Sequence, residues 1–190
     1  MRHSNIFVIS GPSGAGKGTL VARLLEDVPD TWLSISMTTR KPRGTERDGV
    51  NYHFVAQELF DDLLAEDGFL EWAVYSDASY GTPAAPVREQ LQRGKQVLLE
   101  IDVQGAFQVL KSYPQAHLVF IEPPSMEELE RRLRARGTED EETIQKRLKT
   151  AVLELARKEE YDIRLVNDDL EQAVRELVAY VNEKAEEPRE

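Results

Sequence analysis

Short, unbroken apolar runs alternate along the chain with longer amphipathic or polar stretches. The runs Ile6 to Ser10, Gln96 to Asp102, Leu118 to Glu122 and Asp162 to Asn167 have strand length and are rich in Val, Leu and Ile, the content of strands buried on both faces. With helix-length stretches between them, they predict an α/β fold, a parallel sheet covered by helices. Between the first run and Gln96 the texture changes. Asn51 to Val55 and Phe69 to Ser76 alternate apolar and polar residues around a helical stretch near Gln57 to Glu66, which predicts a small mixed subdomain inserted into the core. Ser125 followed by Glu128 is a capping-box signal, so a helix is predicted to begin after Pro123-Pro124 and to reach Gly137. In the next helix Ile144, Leu148, Val152 and Leu155 recur at helical spacing. Ala185 to Glu190 reads as a frayed acidic tail.

At 190 residues and 41% hydrophobic content the chain has enough apolar material for one domain with a conventional core. It contains no cysteine, which excludes disulfides and thiolate metal sites, and its three histidines lack metal-ligand spacing. Any metal must therefore be bound by oxygen. A formal net charge of -11 opposes broad binding to nucleic acid or anionic membranes, since both need an extended cationic surface. The apolar stretch Ile6 to Ile9 is too short for a signal peptide or a membrane span. The expected protein is cytoplasmic, without nucleic-acid or membrane partners, and an anionic substrate has to be caught by a local site.

One such site follows the first run. Gly11, Pro12, Ser13, Gly14, Ala15, Gly16, Lys17, Gly18 and Thr19 lie between that strand and a helix opened by Leu20, Val21, Leu24 and Leu25. Glycines allow positive φ and turn successive N–H groups inward, while the helix N-terminus adds partial positive charge. Lys17 is placed to reach the β- and γ-phosphates of a nucleotide. The bland alternative, a Gly-rich turn with a surface lysine, leaves the spacing and the flanking strand and helix unexplained. The pattern departs from the usual one at Gly18, where a Ser or Thr for Mg²⁺ is expected; Thr19 comes next. Asp102 ends the second apolar run, where a phosphate-loop enzyme carries an acid near Mg²⁺ or its waters. Thr19 or Asp102, acting through water, are thus the candidate metal contacts. A phosphate loop alone does not separate kinases from GTPase switches, motors or transporters. The chain lacks both an Asn-Lys-x-Asp base-reading motif and the protein-kinase motif set.

Arg40, Lys41, Arg43 and Arg47 place four cations within eight positions of an acidic chain, with Tyr52 following. Arginine's planar fork fits phosphate oxygens, and a tyrosine hydroxyl adds a directed donor; by charge alone, a solvated basic loop is the favoured reading. Taken with this loop, the sequence strongly resembles the guanylate kinases. The phosphate loop, Ser36 to Arg43, Glu71-Trp72-Ala73, Tyr80-Gly81-Thr82, Glu100-Ile101-Asp102-Val103-Gln104-Gly105, Pro123-Pro124-Ser125, Arg136-Gly137-Thr138 and Val166-Asn167-Asp168 occur in that family's order and spacing, over essentially residues 5 to 182.

The resemblance implies a single domain over residues 1–190 in three parts. These are a P-loop NTPase-type parallel-sheet core flanked by helices (about 1–33, 95–125 and 160–186), an inserted mixed α/β GMP-binding region (about 34–94) and a helical lid (about 126–159). It implies an enzyme that moves the γ-phosphate of ATP to GMP, and to dGMP, with Mg²⁺. Ser36, Glu71 and Thr82 look like the guanine readers, Arg40, Arg43, Tyr52 and Tyr80 like the ligands of the GMP phosphate, with Gly81, Glu100 and Asp102 beside them. Arg132, Arg136 and Arg147 resemble lid residues that close over the transferring phosphates, and Asn167 looks placed to approach adenine. Guanine chemistry agrees: its N1–H and N2 amino group are adjacent donors that a carboxylate accepts with two oxygens, and O6 wants a hydroxyl. Two other readings stand beside this one. A non-catalytic guanylate-kinase-like binding module is expected to have lost the loop features that Lys17 and the three glycines retain here. A P-loop kinase of another small acceptor, such as AMP, CMP or a phosphorylated sugar, is kept open by Lys17-Gly18-Thr19 and opposed by Glu71 and Thr82.

Overall fold

All four predicted apolar runs become neighbours in one sheet. The computed structural model describes residues 2–75, 77–137 and 140–187. Among these, five parallel strands run in the order β2 (Thr31–Leu33), β7 (Gln96–Glu100), β1 (Ile6–Ser10), β8 (His117–Glu122) and β9 (Ile163–Val166). Pleating sends Phe7, Ile9, Leu98, Val119 and Ile121 to one face, where α1 (Lys17–Asp27) and α7 (Leu170–Glu186) cover them with Leu20, Leu24, Leu177 and Val181. Ile6, Val8, Val97, Leu99, Leu118 and Phe120 face the other way, against Val87 of α3 (Ala84–Gln92) and Ala106 and Val109 of α4 (Val103–Ser112). Every residue of β1 is buried, so its sequence shows no alternation. The parallel register brings Ser10, Glu100 and Glu122 to one end of the sheet. Connections leaving strand C-termini at that edge are where α/β folds place ligands.

A second, mixed sheet has the order β4 (His53–Phe54), β3 (Met37–Thr38), β6 (Ala78–Pro83), β5 (Phe69–Tyr75). Its helix α2 (Gln57–Ala65) is pinned by Phe60, whose ring stacks on Phe69 at 4.4 Å. Gly81 makes that stack possible, because a Cβ there would lie 2.8 Å from Phe69 Cδ1. Leu70 of β5 inserts into the core beside Val87 and ties the two sheets together. Two further helices, α5 (Met126–Ala135) and α6 (Glu141–Leu155), pack through Leu129, Leu133, Leu148 and Ala151. The Ser125 hydroxyl accepts from Glu128 N at 3.1 Å, the predicted cap, and Asp140 caps α6 in the same way.

Several boundaries differ from the sequence reading for local reasons. Helix α5 stops at Ala135, with Arg136 as its C-cap, because Gly137 takes a left-handed φ of 63 and ends it. Strand β7 stops at Glu100, since Asp102 turns to cap α4. On α6 the inward position belongs to Ala151, and Val152 is 56% exposed. The tail predicted from Ala185 is helical through Glu186: Ala185, one turn beyond Val181, is fully buried, and its carbonyl accepts from His3 N at 2.7 Å. The rest of that predicted tail, residues 188–190, lies outside the described residues, as do Ser76 and Thr138. Among the described residues no helix is long and apolar enough to cross a membrane.

Candidate active site

The loop after β1 has the backbone its glycines predict, with φ of 138 at Gly11, 96 at Gly14 and 95 at Gly16. Gly11 crosses β8 so closely that a Cβ would stand 2.2 Å from the Ile121 carbonyl oxygen. Lys17 opens α1, and its Nζ folds back to donate to Gly11 O at 2.5 Å and Pro12 O at 3.1 Å. Burial pushes this lysine below its ordinary pKa; Glu100, Glu154 and Asp102 pull it up, and Arg136 presses it further down. The loop therefore holds a cation short of water, which an arriving phosphate would satisfy. Gly18 and Thr19 are exposed in the first turn of α1, and a Cβ at Gly18 would stand 3.8 Å from both Glu100 oxygens.

Three side chains brace the loop from outside, Asn167 and Arg147 directly and Arg132 through Asn167. Asn167 is buried and donates from Nδ2 to Ala15 O at 2.8 Å. Arg132 donates from Nη2 to Asn167 O at 3.0 Å and from Nε to Glu128 Oε1 at 2.8 Å. Arg147 Nη1 donates to Ser13 Oγ at 2.6 Å. Helix α5 also packs under the loop, where a Cβ at Gly14 would meet Leu129 Cδ1 at 3.0 Å. Arg136 is exposed at the end of α5.

Across the cleft, the period of two along β5 puts Glu71, Ala73 and Tyr75 on one face. Glu71 is 8% exposed, and Thr82, at 1%, donates its hydroxyl to Glu71 Oε1 at 2.6 Å. Burial raises the Glu71 carboxyl to about 7; the Thr82 hydrogen bonds oppose the rise and nearby Asp102 adds to it. Burial likewise raises Glu100, against the pull of Lys17. Asp102 accepts from Gly105 N at 2.8 Å as the cap of α4, and from the Tyr75 hydroxyl with its other oxygen. Burial, then this bond, pushes the Tyr75 hydroxyl well above the usual tyrosine range.

Arg40 is held on several sides. Its Nη1 and Nη2 donate to Glu46 at 2.6 and 2.8 Å, Nε donates to the Tyr80 hydroxyl at 3.0 Å, and the guanidinium lies 5.1 Å from the centre of the Tyr52 ring. Glu46 also accepts from Arg43 N at 2.8 Å, and its bonds to Arg40 hold its carboxyl down at about 2. The Arg43 side chain is exposed.

A cleft of about 460 Å³ joins these parts, with Gly11, Ser13, Lys17 and Arg147 on one side and Ser36, Tyr52, Glu71, Tyr80, Glu100 and Asp102 on the other. Thr82 stands behind that wall through its bond to Glu71, Gly81 lies next to it in β6, and Arg40 flanks the wall through its bond to Tyr80; Arg43 does not line the cleft. Asn167 and Arg132 belong to the rim around the phosphate loop, and the charge of Arg136 is felt at Lys17. Two polar cleft residues were not foreseen as site residues, Tyr75 and Glu154. Each carries a signal in the sequence: Tyr75 follows Glu71 by four positions on a strand, and Glu154 follows Arg147 by seven on a helix, so each shares its predecessor's face. The arrangement can bind two anions, one on the cationic loop and one at the arginine–tyrosine group, with a buried carboxylate beside the second.

Comparison with known proteins agrees with this geometry. The family profile described as guanylate kinase matches residues 3–184. The guanylate kinase of Synechococcus sp. (strain CC9311) is 54% identical over 175 residues, 92% of this chain and 92% of that protein. That of Streptomyces coelicolor is 52% identical over 175 residues, 92% of this chain and 89% of its own length. The crystal structure of guanylate kinase from Anaplasma phagocytophilum superimposes with a TM-score of 0.80 at 32% identity, covering 98% of this chain and 88% of that one. A gluconokinase from Sinorhizobium meliloti 1021, at 20% identity and a TM-score of 0.54 over 98% of this chain and 96% of its own, shares the fold alone. With the profile spanning nearly the whole sequence and half of all positions identical in these two relatives, the chain belongs to the guanylate kinase family.

Proposed function

We propose that the protein transfers the γ-phosphate of ATP to GMP, and also to dGMP, releasing ADP and GDP. The observation that carries this reading is the single cleft that joins Lys17 and its loop to Glu71, Ser36 and the tyrosines. ATP phosphates lie in the loop, where Lys17 releases the Gly11 and Pro12 carbonyls to meet them. The Asn167 amide nitrogen is committed to Ala15, which leaves Oδ1 as the atom able to accept from the adenine amino group. The GMP phosphate is bound by Arg40, Arg43, Tyr52 and Tyr80. Ionised Glu71 accepts from guanine N1–H and N2–H. Thr82, whose hydroxyl hydrogen is taken up by Glu71, supports that carboxylate, and the Ser36 hydroxyl serves O6.

The GMP phosphate oxygen then attacks the γ-phosphorus in line, with no covalent enzyme intermediate. Lys17, Arg132, Arg136 and Arg147 offset charge and align the groups, which is most of what phosphoryl transfer asks of a protein. Thr19, Glu100 and Asp102 would offer oxygens, directly or through water, to a Mg²⁺ bound with ATP, which would supply further charge compensation. No cluster of three His, Cys, Asp or Glu residues able to hold an ion occurs among the described residues, which fits a cation held largely by phosphates and water. In this scheme the chain works as a core (about 1–33, 95–125 and 160–186), a GMP-binding region (about 34–94) and a lid (about 126–159). The last two swing inward when both nucleotides bind and so exclude water. The same reading places the protein in the cytoplasm without nucleic-acid or membrane partners, in keeping with its net charge of -11. Chromatography of a reaction with ATP and GMP tests the transfer: ADP and GDP should appear in equal amounts, whereas free phosphate without GDP would overturn it.

A further inference from the structure

Gly105 has no backbone reason to be glycine. It is the third residue of α4, it is buried, and its φ is not positive. Glycine is a poor helix former, and its N–H bond to Asp102 could be made by any residue except proline. What sets the position apart is the space beside it. A Cβ built there would stand 2.8 Å from Glu71 Oε2, 3.2 Å from Glu71 Cδ and 3.3 Å from Ile101 Cδ1. The other Glu71 oxygen is fixed by Thr82 at 2.6 Å. The carboxylate is thus clamped between a threonine hydroxyl and the bare first turn of a helix, whose N-terminal partial charge favours an anion.

We infer that Gly105 is a specificity-setting positioning residue: by carrying no Cβ it seats the Glu71 carboxylate against α4 in the orientation that meets the acceptor base. The inference rests on the proposed role of Glu71 as the guanine reader. A methyl at 105 collides with the end of a side chain and with no backbone atom, so the fold can accept it while the carboxylate has to move.

The test uses Gly105→Ala, Glu71→Asp and the double variant, with two readouts. In nucleotide-free protein labelled with ¹³C-glutamate, Gly105→Ala should shift the Glu71 carboxyl resonance and its titration midpoint; an unchanged resonance and midpoint overturn the seating. In steady-state assays Gly105→Ala should raise the KM for GMP at least tenfold, leave the KM for ATP within twofold, and lower the GMP-to-AMP ratio of kcat/KM. A shifted resonance with an unchanged KM for GMP would instead refute the base-reading role of Glu71, and the specificity role of Gly105 with it. The shorter Asp withdraws the carboxylate from the new methyl. The double variant should therefore lose less than the product of the two single losses, and strict multiplication counts against the clamp. If Gly105→Ala does not fold, recovery of folding in the double variant supports the inference, and failure of both overturns it.

Discussion

Glu71→Gln should weaken function and strengthen the fold, with the second effect tied to pH. Glu71 is buried, and its carboxyl is raised from 4.5 to about 7. A shift of roughly 2.5 units at about 1.36 kcal/mol each comes to about 3 kcal/mol. Because the folded-state value is the higher one, the folded chain keeps a proton that the unfolded chain gives up between about pH 4.5 and 7. Stability therefore falls as pH rises through that window. Glutamine does not ionise, and its side-chain oxygen can still accept from Thr82. Its advantage in urea unfolding should be small near pH 4.5, grow through the window, and level off above pH 7 at up to about 3 kcal/mol. In the proposed pocket, guanine would then face one amide oxygen and one competing donor in place of two carboxylate oxygens. Hydrogen bonds to charged groups contribute about 1.5–3 kcal/mol, so calorimetry should show GMP weakened roughly 10- to 150-fold. ATP affinity should be nearly unchanged. A stability difference independent of pH would refute the burial argument, and equal losses for GMP and ATP would remove Glu71 from the base pocket.

Lys17→Ala should abolish turnover and leave GMP binding by calorimetry nearly intact; collapse of GMP binding as well would show that donor and acceptor sites are not separate. Glu46→Gln should loosen the bidentate hold on Arg40 and raise the KM for GMP about tenfold. Inhibition by guanosine, which lacks the phosphate, should be unaffected, and a parallel loss would mean a general collapse of the inserted sheet. Asp102→Ala removes the cap of α4 and the partner of Tyr75, so chemical unfolding should show a loss of about 1–2 kcal/mol. An unchanged midpoint would mean that neither bond matters to the folded state.

The core was legible because its strands are buried on both faces, a condition that leaves a continuous apolar run at Ile6–Ser10 and again at Gln96–Glu100. The phosphate loop was legible for a different reason: positive φ at Gly11, Gly14 and Gly16 leaves few alternatives to glycine, so the backbone is written in residue type. Strands β2 and β3 gave no such signal. They span three and two residues, too short for any period to show. Strand β6 contains Gly81 and Pro83, residues that ordinarily argue against a strand, and is held in place by pairing with β5. The hydrogen-bond partners of Thr82 and Asn167 were not legible for a related reason. Which partner takes each hydrogen is settled by tertiary packing, against Glu71 in one case and Ala15 in the other.

The central claim, a pocket that reads guanine by where its hydrogens lie, is tested most directly by kcat/KM for GMP, dGMP, AMP, CMP and UMP under one set of conditions, followed by coupled ADP release. The account predicts that GMP leads, that dGMP is accepted, and that AMP trails by roughly 10⁴ or more, since adenine leaves the buried hydrogen-bonding groups unpaired. AMP turned over as well as GMP, or better, would contradict it.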